Sequence, residues 1–233
     1  MARSAPPDRL EQLVDCATRV FVAQGYRRTQ MADVAEAMGV AKGTLYLYVE
    51  SKEALFDLVV RYGDAEGRIA SPPAFPVATP RRGATLRYVR EELARQQIPA
   101  TLARALESRA RVDLRSELEA IVRELYGLLA RNRRRLKLID VCAREMPELG
   151  ALWFSGARGG LIAAFATYLD DRIRRKLVRP VPDTSVAARL IIETTVFWAV
   201  HRHWDAHPEA VEDAVAAATV VRFIVGALAK ESD

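Results

Sequence analysis

The 233-residue chain contains few cysteines and no long apolar run. Cys16 and Cys142 are its two cysteines, far apart and outside any CxxC spacing, so neither a disulfide framework nor a structural zinc site is expected. No stretch approaches the ~18 consecutive apolar residues of a membrane span. The first ten residues lack the apolar core of a secretory signal peptide. We therefore expect a cytoplasmic protein with no membrane partner, in which Cys142 is a buried cysteine rather than a redox sensor.

Signatures of the common enzyme classes are also missing. The three histidines all lie within residues 201–207, and no GxSxG, HExxH, GxGxxG or phosphate-loop pattern occurs. His203 and His207 stand at i, i+4 and could share a metal, but no acid or cysteine is clearly positioned beside them. The sequence thus predicts no catalytic residue, no metal site and no cofactor. A small helical enzyme remains as an alternative.

The excess of basic residues lies outside the N-terminal part of the chain. The formal net charge is +5, yet residues 1–60 hold seven Lys or Arg against eight Asp or Glu. The excess lies in runs such as residues 131–137 and 172–176, which are typical of solvated helix faces. Net charge therefore does not identify a partner, and local chemistry has to do so.

Hydrophobic residues repeat with the helical period throughout, which predicts an all-α fold. Pro72, Pro73, Pro76 and Pro80 mark a linker or a stiff connection, because proline cannot continue a helix. The prolines divide the chain into a front domain in residues 1–52, a connector helix in residues 51–70, and a helical rear domain in residues 71–233. The helices predicted in the rear domain span roughly 82–98, 100–111, 113–131, 133–145, 148–178, 184–206 and 208–230.

Two short helices near the N-terminus, at about 30–38 and 41–48, are joined by a turn at Gly39. This is the minimal helix-turn-helix, whose second helix enters the major groove. With Leu45 turned to the core, the outward face of that helix carries no acid. Gly43 permits close approach, while Thr44 and Leu47 suit base edges and thymine methyls. Further phosphate or base contacts are expected from Lys42, Tyr46, Tyr48 and Lys52 and from the backbone near Thr29.

Residues 23–56, AQGYRRTQMADVAEAMGVAKGTLYLYVESKEALF, resemble the signature of the tetracycline-repressor (TetR) family over more than thirty positions. The resemblance implies an N-terminal three-helix DNA-binding domain followed by a helical ligand-binding and dimerisation domain. It assigns DNA contact to Thr29, Gln30, Lys42, Gly43, Thr44, Tyr46, Leu47, Tyr48 and Lys52. Gln30, Ala41 and Val49 depart from the commoner threonine, serine and phenylalanine. Loss of a capping serine at position 41 weakens a helix by ~1 kcal/mol.

The last two predicted helices are apolar nearly all the way round, which predicts burial on every side. In the TetR family such helices form a four-helix dimer interface, and we expect a homodimer. Candidate interface residues are Leu190, Val196, Val215, Ala218, Val221, Phe223 and Val225. A well-buried monomeric core is the alternative.

The sequence also contains candidate residues for a ligand pocket. Bulky aromatic residues with a few polar ends suit a mostly apolar pocket, although aromatics at helical spacing are more often core. The candidates are Tyr126, Trp153, Phe154, Phe165, Tyr168, Phe197, Trp198 and His201. The sequence therefore predicts a dimeric repressor of a palindromic double-stranded operator, released by an unidentified apolar or aromatic small molecule. A helical dimerisation or adaptor protein is the other alternative.

Overall fold

The structure is a computed structural model that describes residues 7–64, 73–95, 98–108 and 113–230. All regular structure in these ranges is helical, as the periodicity predicts. The α-helices are α1 (Pro7–Arg28), α2 (Met31–Ala37), α3 (Lys42–Leu45), α4 (Lys52–Tyr62), α5 (Ala84–Arg95), α6 (Ala100–Glu107), α7 (Leu114–Arg131), α8 (Arg133–Ala143), α9 (Pro147–Gly150), α10 (Gly159–Arg174), α11 (Thr184–Ala199) and α12 (Asp213–Leu228). A π-helical segment spans Ala151–Arg158, and a short 3-10 helix spans His201–Trp204.

Residue contacts divide the chain into two compact units. The head unit contains residues 1–93 and 134–153, and the rear unit contains residues 94–133 and 154–233. The head unit thus includes α8 as well as the helices on the N-terminal side of the proline-rich segment. Compactness is a different property from independent folding, so the domain boundary at residue 71 stays a prediction.

The core of the head unit forms where α1, α2 and α4 pack together. Leu13, Phe21, Leu45 and Leu55 are fully buried there. Tyr26 extends this core, because its ring meets Phe56 edge-on with 5.0 Å between ring centroids. These helices therefore bury their apolar side chains in one common core.

Gly25 interrupts α1 with a backbone conformation that other residues rarely adopt, φ +80° and ψ 174°. The carboxylate of Glu145 lies against this break and accepts a 2.8 Å hydrogen bond from the backbone N–H of Arg27. A Cβ at position 25 would stand 2.6 Å from Oε1 of Glu145. Gly25 is thus also a site of close approach to Glu145.

The fourth helix is shorter than predicted. It ends at Tyr62 instead of Ala70, and residues 65–70 lie outside the described ranges. Glycine at position 63 is a poor helix former. Asp64 then leaves the helical path and caps α8, because its carboxylate accepts the backbone N–H groups of Arg134 (2.9 Å) and Arg135 (3.3 Å). These interactions end the helix about two turns early.

The rear unit is built from α6, α7, α10, α11 and α12 around one hydrophobic core. Arg172, although charged, lies inside this unit and is 1% exposed. It donates to both carboxylate oxygens of Glu117, at 2.8 and 3.0 Å, and to the carbonyl of Ala105. The Tyr168 hydroxyl donates to the same carboxylate at 2.9 Å. Burial, together with Glu117, raises the pKa of Tyr168 far above its usual value, so this phenol stays protonated.

The helical stretch Pro147–Arg174 is long and apolar enough to cross a membrane by length and composition alone. Its second half is α10, which buries Phe165, Tyr168 and Leu169 in the core of the rear unit. The core helix of a globular protein passes the same test, so the composition of this stretch is weak evidence for a membrane.

Candidate nucleic-acid interface

A tight turn joins α2 to α3. Gly39 adopts φ +66°, and the Val40 N–H donates to the Ala35 carbonyl at 2.9 Å. Val34, Ala35 and Met38 are buried on one side of the turn, and Leu45 and Val49 on the other. The helical part of α3 covers Lys42–Leu45, and i→i+3 hydrogen bonds extend it as a tighter turn through Tyr48. The turn and the buried residues beneath it hold α3 at the surface of the head unit.

The outward face of α3 is exposed and contains no acid. Lys42 and Gly43 are exposed, Tyr46 is 42% exposed, Leu47 is 68% exposed, and Thr44 is half-buried. A Cβ built on Gly43 would meet nothing within 4 Å, so the fold itself does not require glycine there. An exposed leucine beside an exposed glycine and a tyrosine is unusual for a solvent-facing helix and suits contact with a partner.

Three of the predicted contact residues are engaged within the protein. Thr29 is buried, and its hydroxyl donates to the Gly25 carbonyl at 2.7 Å. A phosphate contact at this position would therefore have to use the backbone. Gln30 stays exposed and precedes α2, where its N–H donates to Asp33 at 2.8 Å. Tyr48 is half-buried, and its ring meets Phe75 edge-on at 5.7 Å.

Lys52, predicted as a phosphate contact, is also engaged within the head unit. Its ammonium group donates to the carbonyls of Tyr26 (3.0 Å), Arg27 (3.3 Å) and Thr29 (3.1 Å). It also lies 4.6 Å from the centre of the Tyr26 ring. All three ammonium protons thus have acceptors at the end of α1. Side-chain patterns do not signal this arrangement, because the three carbonyls are contributed by backbone about 25 residues away.

Together, these features define a helix-turn-helix domain with one exposed helix face free of acidic residues. Residues 13–59 match the family described as bacterial regulatory proteins, tetR family. This N-terminal domain belongs to the tetR family.

Curated relatives are similar over a short part of the chain. The transcriptional repressor KstR2 of Rhodococcus jostii is 36% identical over 58 residues, which cover 25% of this chain and 28% of that protein. The fatty acid metabolism regulator protein of Bacillus subtilis is 43% identical over 42 residues, which cover 18% and 22%. These matches span about a quarter of the relatives' lengths.

Solved structures are similar over nearly the whole chain. The ketosteroid transcriptional regulator KstR2 of Mycobacterium tuberculosis has a TM-score of 0.55 at 16% identity, and covers 99% of this chain and 98% of its own. The probable transcriptional regulatory protein RHA5900 has a TM-score of 0.57 at 18% identity, covering 95% and 100%. At such identities the likeness concerns the fold. It confirms a helix-turn-helix domain followed by a helical C-terminal domain.

The aromatic residues predicted to line a pocket lie in different surroundings. Trp153 belongs to the head unit, where its ring N–H donates to Asp140 at 3.0 Å. In the rear unit, Phe165 and Tyr168 are core residues, and Phe154 lies half-buried in the π-helical segment. Phe197 faces outward instead of lining an interior, because this side of α11 is turned away from the core. The pocket as a set of residues stays a prediction.

Tyr126, Trp198 and His201 lie near a polar network that sequence reasoning missed. Asp213, at the start of α12, accepts hydrogen bonds from Arg133, Arg202 and the Tyr126 hydroxyl. Tyr126 also contacts the Trp198 carbonyl at 3.2 Å, and half-buried His201 begins the adjoining 3-10 helix. The arginines and tyrosine are up to 87 residues from Asp213 in sequence, so no short-range pattern signals the cluster.

His203 is also part of this network. Its Nε2 accepts from Arg133 at 2.7 Å, which fixes the neutral ring with its proton on Nδ1. Burial, followed by the charges of Arg133 and Arg202, lowers the pKa of His203. Among the described residues, no group of three or more His, Cys, Asp or Glu side chains is placed to hold a metal ion.

The proposed dimer residues fall into two groups. Leu190, Val215, Ala218 and Phe223 are exposed on α11 and α12, and Val196 is half-buried. Val221 and Val225, by contrast, lie in the core of the rear unit. They cannot line an interface, because α12 turns that side toward its own subunit's core. Val186 and Phe197 are exposed apolar residues of α11 that complete the outward set.

Proposed function

We propose that this protein is a DNA-binding transcription regulator that represses its target genes. The observation that carries the proposal is the exposed face of α3, where Gly43, Tyr46 and Leu47 are open to a partner and no acid is present. Phosphates repel acids, and base edges accept small, apolar and hydroxyl-bearing contacts. The tetR-family domain in residues 13–59 supports the same function.

The protein acts as a homodimer in this proposal. Leu190 and Phe197 of α11, with Val215 and Phe223 of α12, leave large apolar side chains exposed in the rear unit, and Phe223 is 74% exposed. Monomeric proteins rarely expose several such residues on neighbouring helices. A two-fold dimer presents its two recognition helices to half-sites about one helical turn apart, which makes the operator palindromic.

Binding of a small molecule releases the repressor from its operator. The repressor is cytoplasmic, and the ligand is apolar or aromatic, since the rear unit contributes Phe154, Trp198 and Tyr126 as candidate contacts. Typical coupling between sites of ~1–3 kcal/mol would change operator affinity about 5- to 150-fold. Regulation in this form requires no catalytic residue.

DNA binding by Tyr46→Ala protein tests the proposal. The probe is the duplex that wild-type protein selects from a library of randomised DNA, titrated by fluorescence anisotropy. Loss of one base contact of ~1–3 kcal/mol weakens binding about 5- to 150-fold. Tyr46→Phe is the matched control that keeps the ring and removes the hydroxyl. The proposal fails if the wild-type protein selects no duplex, or if Tyr46→Ala protein folds normally and binds equally well.

A further inference from the structure

The segment that follows α4 returns to the end of α3, the recognition helix of the helix-turn-helix. We name residues 73–83 the return segment. The Val77 N–H donates to the Tyr48 carbonyl at 2.7 Å, and the Glu50 N–H donates to the Val77 carbonyl at 3.0 Å. The Thr79 hydroxyl lies 2.8 Å from the Ser51 hydroxyl, which caps α4. The return segment is thus bonded to the residues that join α3 to α4.

The next helix, α5, packs beside α4 in the head unit. Thr85 at the start of α5 donates to Asp57 at 2.8 Å, and Tyr88 lies under the guanidinium of Arg61 at 4.3 Å. Because both sequence numbers increase from the first contact to the second, α5 runs parallel to α4. Its first residues therefore lie beside Asp57 in the middle of α4, and the return segment before them reaches Ser51, where α4 begins.

Arg81 and Arg82 lie between these two anchor points, and both are exposed. Arg82 is three positions after Thr79 in the chain, so their Cα atoms are at most ~10 Å apart. Within the described ranges, neither guanidinium has an ion pair or a side-chain hydrogen bond. An acid also contacts the return segment, because the Glu50 carboxylate accepts the Thr79 N–H at 2.8 Å.

We propose that Arg81 and Arg82 bind DNA phosphates beside the half-site that α3 occupies. The N-terminal part of a recognition helix contacts the base edges in the groove, and its far end faces the bordering backbone. The return segment is bonded to that far end and adds two cations to an interface that otherwise contains few. It thereby supplies positive charge that residues 1–60 lack. This inference rests on the proposed function, since it requires α3 to lie in the groove.

The salt dependence of DNA affinity measures such contacts. Each phosphate neutralised contributes about 0.9 to the slope of log affinity against log salt concentration. Arg81→Gln and Arg82→Gln should each lower the slope by about 0.9 per bound subunit, and the double variant by about 1.8. A fourfold rise in salt then weakens wild-type binding about 12-fold more per subunit than double-variant binding. Replacing both arginines by lysine should preserve the wild-type slope.

Arg90→Gln is the matched control, because Arg90 is exposed on α5 but lies six residues, or about 9 Å of helix, beyond the helix start at Ala84. Its slope should equal that of the wild-type protein. If the wild-type protein binds the selected duplex and the Arg81 and Arg82 variants match Arg90→Gln, the inference is overturned and the proposed function stands. If the wild-type protein binds no duplex, both are overturned.

Discussion

Replacing Lys52 separates a structural role for this residue from a DNA-binding role. The substitution Lys52→Met keeps most of the apolar stem and removes the ammonium group. That group donates to the carbonyls of Tyr26, Arg27 and Thr29 at 3.0 to 3.3 Å. Hydrogen bonds to a charged group contribute about 1.5–3 kcal/mol each when fully formed.

The three bonds of Lys52 will contribute less than that sum, because the side chain is half-buried and water can reach the freed carbonyls. We expect Lys52→Met to lower the free energy of unfolding by about 2–4 kcal/mol, including a contribution of roughly 0.5–1 kcal/mol from the Tyr26 ring. Urea unfolding followed by circular dichroism measures this loss.

Lys42→Met is the matched control, since Lys42 is an exposed lysine of the same domain. Its effect should stay within about 0.5 kcal/mol. The reasoning is refuted if Lys52→Met unfolds like Lys42→Met while lowering the salt slope of DNA binding. That result would make Lys52 the phosphate contact that the sequence alone predicts.

Three further predictions concern buried parts of the two units. Gly25→Ala should destabilise the protein by more than Gly39→Ala in urea unfolding, because a Cβ at position 25 would meet the Glu145 carboxylate while one at position 39 has open space; equal losses would contradict the close approach. Glu117→Gln should cost about 1.5–3 kcal/mol, since it removes the charge of the carboxylate that accepts from Arg172 and leaves Asp171 as the acidic partner of this buried cation, and a loss below 1 kcal/mol in the same assay would exclude this. Burial, then Glu145, raises the pKa of the Cys142 thiol to about 12. The protonated, buried thiol therefore contributes its whole share to the free energy of unfolding below the ordinary thiol pKa of about 8.5. This share declines as pH rises from there toward 12. At neutral pH, maleimide should label Cys142 far more slowly in native than in urea-unfolded protein, and equal rates would contradict its burial.

Local patterns predicted the helix-turn-helix well. The buried positions Val34, Met38 and Leu45, the turn at Gly39 and the exposed Leu47 all follow from helical periodicity and glycine placement. Each depends on neighbours within one or two helical turns, so the sequence contains the required information.

Contacts between distant residues could not be predicted in the same way. The prolines of the return segment predict a linker or a stiff connection, because prolines show where a helix ends and not where the chain goes next. Lys52 and Glu145 bind backbone groups, which leave no trace in side-chain patterns. Val221 and Val225 illustrate a related difficulty. An apolar helix does not disclose which of its faces meets its own core and which meets a partner.

Binding of duplex DNA by Leu47→Asp protein tests the central claim most directly. Leu47 is 68% exposed, so an acid there should leave the unfolding midpoint nearly unchanged while placing a negative charge on the face of α3. The account predicts that anisotropy titrations detect binding of the selected duplex by the wild-type protein and little or none by Leu47→Asp protein. Equal affinities of the two folded proteins would show that this face does not contact DNA, and would contradict the account.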